Sequence, residues 1–126
     1  MWRKRLWLLA VGGLLGVAVC AGAGYWAWAT FIGPPPGVGP QAERGYQACA
    51  PVIAALDRYQ AENGAYPEAL TDLVPAYLSE IPQPADLELD YKAKAPAYEL
   101  IFRYAGPGMN ICGYTPSAGW DCYGYY

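Results

Sequence analysis

Histidine is absent from the 126 residues, which removes the commonest general base and metal ligand. Serine is nearly absent: Ser79 and Ser117 have no base to activate either hydroxyl in the manner of a hydrolase triad. The four cysteines, Cys20, Cys49, Cys112 and Cys122, contain no Cys-x-x-Cys pair and no four-ligand zinc spacing. The glycine-containing stretch GPPPGVGP, residues 33–40, places prolines where a phosphate loop needs amide donors. Glu88 and Asp90 follow strand alternation, so they read as a solvated face rather than glycosidase carboxylates. Catalysis, a metal and an organic cofactor are therefore not expected.

Charge is missing from a whole segment. Residues 6–32, LWLLAVGGLLGVAVCAGAGYWAWATFI, hold 27 positions without one charged side chain. As a helix this run is about 40 Å long against about 30 Å of bilayer hydrocarbon. Tyr25, Trp26, Trp28 and Phe31 account for the surplus as an aromatic belt at the far interface. Arg3, Lys4 and Arg5 stand only before the run, which predicts a cytoplasmic N-terminus and an outer location for residues 33–126. The alternative is a secretory signal cut near Ala21-Gly22-Ala23 or Ala27-Trp28-Ala29. Lipidation at Cys20 is not expected, because Val19 precedes it where a small residue is required.

Basic residues are scarce beyond the run. All eleven acidic residues lie there against five basic ones, leaving that portion acidic by six charges and excluding a phosphate-neutralising nucleic-acid surface. The sequence divides into a basic flank (1–5), a transmembrane helix (6–32), a Pro/Gly linker (33–40) expected to be a semi-rigid polyproline spacer, and an extracytoplasmic domain (41–126). Gly12, Gly16, Cys20 and Gly24 recur every four residues and form a small-residue ridge, which predicts close helix–helix association, with itself or with a partner.

What is present in the outer part is periodic. Tyr46, Cys49, Ile53 and Leu56 recur at helical spacing, with Val52 and Tyr59 widening the stripe, which predicts an amphipathic helix over 41–62, kinked at Pro51. Asn63-Gly64 stops it, Tyr66-Pro67 reverses the chain, and a short helix is expected over Glu68–Val74 before Pro75. From residue 87 the period becomes two. LELDYKA (87–93) and YELIFRY (98–104) predict one hairpin; MNICGYT (109–115) and WDCYGYY (120–126) predict a second. Cys112 and Cys122, in a compartment that permits disulfides, are expected to join the second pair, leaving Cys49 as a small buried hydrophobe. The predicted class is α+β, a helix laid on a small antiparallel sheet. Tyr104, Tyr114, Trp120, Tyr123, Tyr125 and Tyr126 crowd the last quarter of the chain. They are either half-buried strand formers or a face for a protein partner or a glycan.

The order of parts resembles the pilin superfamily, specifically the pseudopilins of type II secretion. The resemblance rests on Ala54-Ala55-Leu56, Tyr59, Asn63-Gly64-Ala65-Tyr66-Pro67, Leu70, Leu73, Pro75 and Ile81-Pro82, within residues 46–82. It implies a pilin-like fold, a single-pass location in a bacterial inner membrane with the domain in the periplasm, and a protein partner in a secretion, pilus or other envelope assembly. The start, Met1-Trp2-Arg3-Lys4-Arg5-Leu6-Trp7, lacks the Gly-Phe-Thr-Leu-x-Glu processing signal, so cleavage by a prepilin peptidase is not expected. Some pseudopilins hold calcium in the C-terminal loop; here that loop offers Asp121 alone, and no metal site is carried over. The rival from another class is a small periplasmic module that reads peptidoglycan or another glycan through its aromatic end.

Overall fold

The computed structural model describes residues 2–31, 33–106 and 108–125, and residues 6–31 of the uncharged run lie in a helix α1, Trp2–Phe31. None of its most apolar window, Val11–Ala29 with mean hydropathy 1.4, is buried. The helix is long and apolar enough to cross a membrane and is compatible with a single-pass anchor. It forms one compact unit, Met1–Gly33, and Pro34–Tyr126 forms the other.

In the second unit, helix α2 spans Pro40–Asn63. Proline suits its first position because the amide it lacks has no partner there. Pro51 lies inside the helix, which continues through it. Gly64 ends α2 at φ 77°, donating its amide to the Gln60 carbonyl, in the left-handed geometry that glycine adopts without penalty. The expected helix over Glu68–Val74 shrinks to a 3-10 turn at Leu70–Leu73. Two local effects account for this. The Asp72 carboxylate accepts the Ala69 amide at 3.3 Å, and Val74 is extended (φ −97°, ψ 133°) ahead of Pro75, as a residue before proline prefers.

Four strands follow: β1 Leu87–Lys94, β2 Ala97–Gly106, β3 Gly108–Thr115 and β4 Gly119–Tyr125. They pair antiparallel in chain order, β1-β2-β3-β4. The architecture is thus an N-terminal apolar helix, a second helix and a four-stranded antiparallel sheet, α+β. One sheet face meets α2. Tyr98, Leu100, Phe102 and Tyr104 from β2 pack with Cys49, Val52, Ala55 and Leu56 from α2 and Leu73 from the 3-10 turn. Each large apolar side chain so buried contributes about 1.5–3 kcal/mol. Glycine at 45 is needed for this approach. A Cβ there would lie 2.2 Å from Phe102 Cε2.

The linker departs from the expected spacer. Val38 donates its amide to the Pro35 carbonyl at 3.1 Å, closing a turn with Pro36 second and Gly37 third at φ 81°, the residue pattern of a type II turn. This turn is part of the second unit. Gly37 N–H donates to the Tyr104 hydroxyl at 2.9 Å; the Tyr46 hydroxyl donates to the Gly37 carbonyl at 3.0 Å and lies 3.3 Å from Cys122 Sγ. A spacer would need its backbone solvated. Here two tyrosines satisfy it instead.

Candidate functional site

The aromatic quarter is the candidate surface, and strand parity decides what it can do. Along β4, Trp120, Cys122 and Gly124 oppose Tyr114, Cys112 and Asn110 of β3, while Asp121, Tyr123 and Tyr125 oppose Gly113, Ile111 and Met109. The first set belongs to the face that meets α2. Trp120 sits 5.0 Å from the Tyr46 ring, 5.3 Å from Phe102 and 5.2 Å from Tyr114, centroid to centroid. Edge-to-face and tilted pairs at such separations are favourable beyond their burial. Tyr104 is buried, and its hydroxyl accepts the Gly37 amide. Tyr104, Tyr114 and Trp120 therefore do not join Tyr123 in one recognition face; the pleat turns them to opposite sides of the sheet. The side chain of Tyr125 lies outside the described ones. Tyr126 lies outside the described residues.

The disulfide fastens this arrangement. Cys112 and Cys122 are directly opposed, with Cα atoms 4.1 Å apart and sulfurs bonded at 2.11 Å. A disulfide is a mark of a non-cytoplasmic domain. Cys49 is a free, buried thiol, pushed up to about 12 by its burial, so it is inert rather than nucleophilic. Cys20 is free and exposed on α1, on the ridge with Gly12, Gly16 and Gly24, where an added Cβ at each glycine meets nothing within 4 Å.

Tyrosines dominate the remaining core chemistry. Tyr98 is 1% exposed, its hydroxyl has no hydrogen-bond partner, and burial raises its pKa. Tyr66 and Tyr91 flank it at 4.7 and 5.8 Å. Tyr91 donates to the Pro67 carbonyl at 2.7 Å and is pushed up to about 12, first by burial and then by the neighbouring Tyr66. Donation to Pro67 links the sheet to the Tyr66-Pro67 turn. All three rings stay neutral near pH 7 and build structure.

Several charges on and beside the sheet are paired. Arg103 lies 3.7 Å from Glu88 and 3.6 Å from Asp90, and Arg44 of α2 pairs with Asp86. Among the described residues no three of Cys, Asp and Glu gather into a possible metal site. Ile101, which alternation sets on the face opposite Leu100 and Phe102, is only 6% exposed. Beside it on β3 stands Gly113. Val38 and Met109, which sequence reasoning did not single out, are exposed. The parity of β4 about Cys122 was the available signal for separating inward from outward rings. Comparison with protein-family models, with curated proteins and with solved structures finds no match to this chain.

Proposed function

We propose that this chain is a non-enzymatic, single-pass envelope protein: α1 anchors it in a bacterial inner membrane, and the second unit is a pilin-like periplasmic domain that docks onto a protein partner in a secretion, pilus or other membrane assembly. The observation that carries this reading is the joining of an uncovered apolar helix to a separately packed, disulfide-linked α+β unit. A helix without a buried face in its own chain needs lipid or another helix around it. The Asn63-Gly64-Ala65-Tyr66-Pro67 turn supports the pilin-like part, since it closes α2 and lets Tyr66 and Pro67 meet the sheet through Tyr98 and Tyr91. Basic Arg3–Arg5 and the acidic remainder support the orientation. The small-residue ridge offers the membrane part of the partner surface.

Co-purification from gently solubilised membranes tests the proposal. A stoichiometric protein partner retained with the full-length chain is the expected result. Sedimentation of the chain with bare cell wall, without such a partner, would favour glycan reading instead.

A further inference from the structure

The sheet has two open edges, and they differ in charge. Among the described residues no strand lies beyond β1 or β4. On β4 the only charged residue is Asp121, whereas every second position of β1 is charged: Glu88, Asp90, Lys92 and Lys94. These four side chains are at least 38% exposed. Both acids precede both bases, with Tyr91 at the middle.

Backbone parity decides how that edge can pair. Cys112 and Cys122 face each other with Cα atoms 4.1 Å apart, the short spacing of a non-hydrogen-bonded antiparallel pair. The backbone groups of Cys112 therefore point to Phe102 of β2. The alternation carries on through the unbroken registers Phe102↔Cys112 and Leu89↔Phe102. Leu89 is left with its N–H and C=O directed off the edge, and so are Tyr91 and Ala93 at the same parity. Among the described residues no backbone hydrogen bond from outside the sheet reaches these three.

We infer that β1 pairs with β1 of a second copy of this chain, antiparallel about a two-fold axis at Tyr91. In that register Tyr91 meets Tyr91 of the second copy and Leu89 meets its Ala93, each pair exchanging backbone hydrogen bonds. Glu88 then stands opposite Lys94 and Asp90 opposite Lys92, at the non-hydrogen-bonded positions where side chains come closest. The adjacent registers of the same parity set Asp90 on Asp90 or Lys92 on Lys92, so charge selects this one. A charged edge ordinarily blunts strand pairing, but this order is complementary to itself. Within one chain Lys94 pairs with Glu99, and Arg103 reaches Glu88 and Asp90. Exposed pairs of this kind are worth little and leave the charges free to be shared. An isologous contact also closes on itself as a dimer. It belongs to the second unit alone and is separate from the α1 ridge.

Oxidised full-length chains of natural and heavy nitrogen composition are mixed in detergent micelles at low salt. A carbodiimide then condenses touching carboxylates and ammonium groups to amides with loss of water. Cross-links Glu88–Lys94 and Asp90–Lys92 that join a light to a heavy peptide are expected, and they should fade in high salt. They should persist in Gly16→Leu, which removes the α1 ridge. In that background Lys92→Glu with Lys94→Glu makes the edge all acidic, and Glu88→Lys with Asp90→Lys makes it all basic. By sedimentation each double variant alone should dimerise about tenfold more weakly or worse, and the two mixed should regain the dimer. Cross-links confined to one isotope, or an acidic–basic mixture that stays monomeric, would overturn the pairing. Loss of the mixed cross-links in Gly16→Leu would assign self-association to α1 and overturn the edge as an interface.

Discussion

Alanine at position 45 should weaken the domain, against the usual sign for a helix. Replacing an interior helical glycine by alanine ordinarily gains about 1 kcal/mol. Here the new Cβ would stand 2.2, 2.5 and 2.6 Å from Cε2, Cδ2 and Cζ of Phe102. The ring has little room to retreat, because it is fully buried with Tyr46 and Trp120 at 5.3 Å and Tyr104 at 6.0 Å. Overpacking of this kind costs about 1–3 kcal/mol, and after the helical gain we expect a net loss of up to about 2 kcal/mol. A fragment of residues 34–126 retains Trp120 as its only tryptophan, against the ring under stress, so its fluorescence in denaturant reads the change. Ala50→Gly, on the exposed side of the same helix, should lose about 1 kcal/mol by propensity alone. A higher midpoint for Gly45→Ala would refute the close packing of α2 on β2.

Four further outcomes follow from the same structure. Peptide mapping without reductant should recover Cys112 linked to Cys122 and Cys49 linked to neither; replacing both linked cysteines by serine should cost about 2–3 kcal/mol for a loop this short. Gly64→Ala meets no atom within 4 Å but must adopt φ 77°, so a loss of about 1–2 kcal/mol should come from backbone strain alone. Burial raises Cys49 from 9.0 to about 12; the unfolded chain therefore ionises first, and stability should be flat below pH 9 and fall as pH rises from there towards 12. Cys49→Ala should make that fall shallower, with the remainder due to tyrosines raised in the same direction, Tyr91 and Tyr98 among them. In a membrane-association assay Gly16→Leu should abolish helix pairing while Leu15→Ala leaves it intact, and equal behaviour would reduce α1 to a plain anchor.

Where the fold was legible in the sequence, the signal was local and periodic. The stripe Cys49, Val52, Leu56 is the buried side of α2, Asn63-Gly64 is its end, and alternation in residues 98–104 sets Tyr98, Leu100, Phe102 and Tyr104 on one face, which is the core face. What stayed hidden depends on distant partners. GPPPGVGP reads as a spacer until Tyr46 and Tyr104 are known to hold Gly37. Gly45 reads as a weak helix residue until Phe102 is placed against it. The alternation of YELIFRY sets Ile101 opposite Phe102 but does not show that it is buried. The aromatic cluster was a different failure: counting rings by sequence proximity merged two faces that the alternation Trp120-Asp121-Cys122-Tyr123 already separated.

The central claim is that one uncut chain carries both an anchoring helix and an oxidised outer domain, and intact mass on protein extracted from alkali-washed membranes tests it most directly. The account predicts a species that retains α1 and gains two hydrogens' mass on reduction, as one disulfide requires. A species short by about 20–30 N-terminal residues, or release of the chain into the soluble wash, would contradict it.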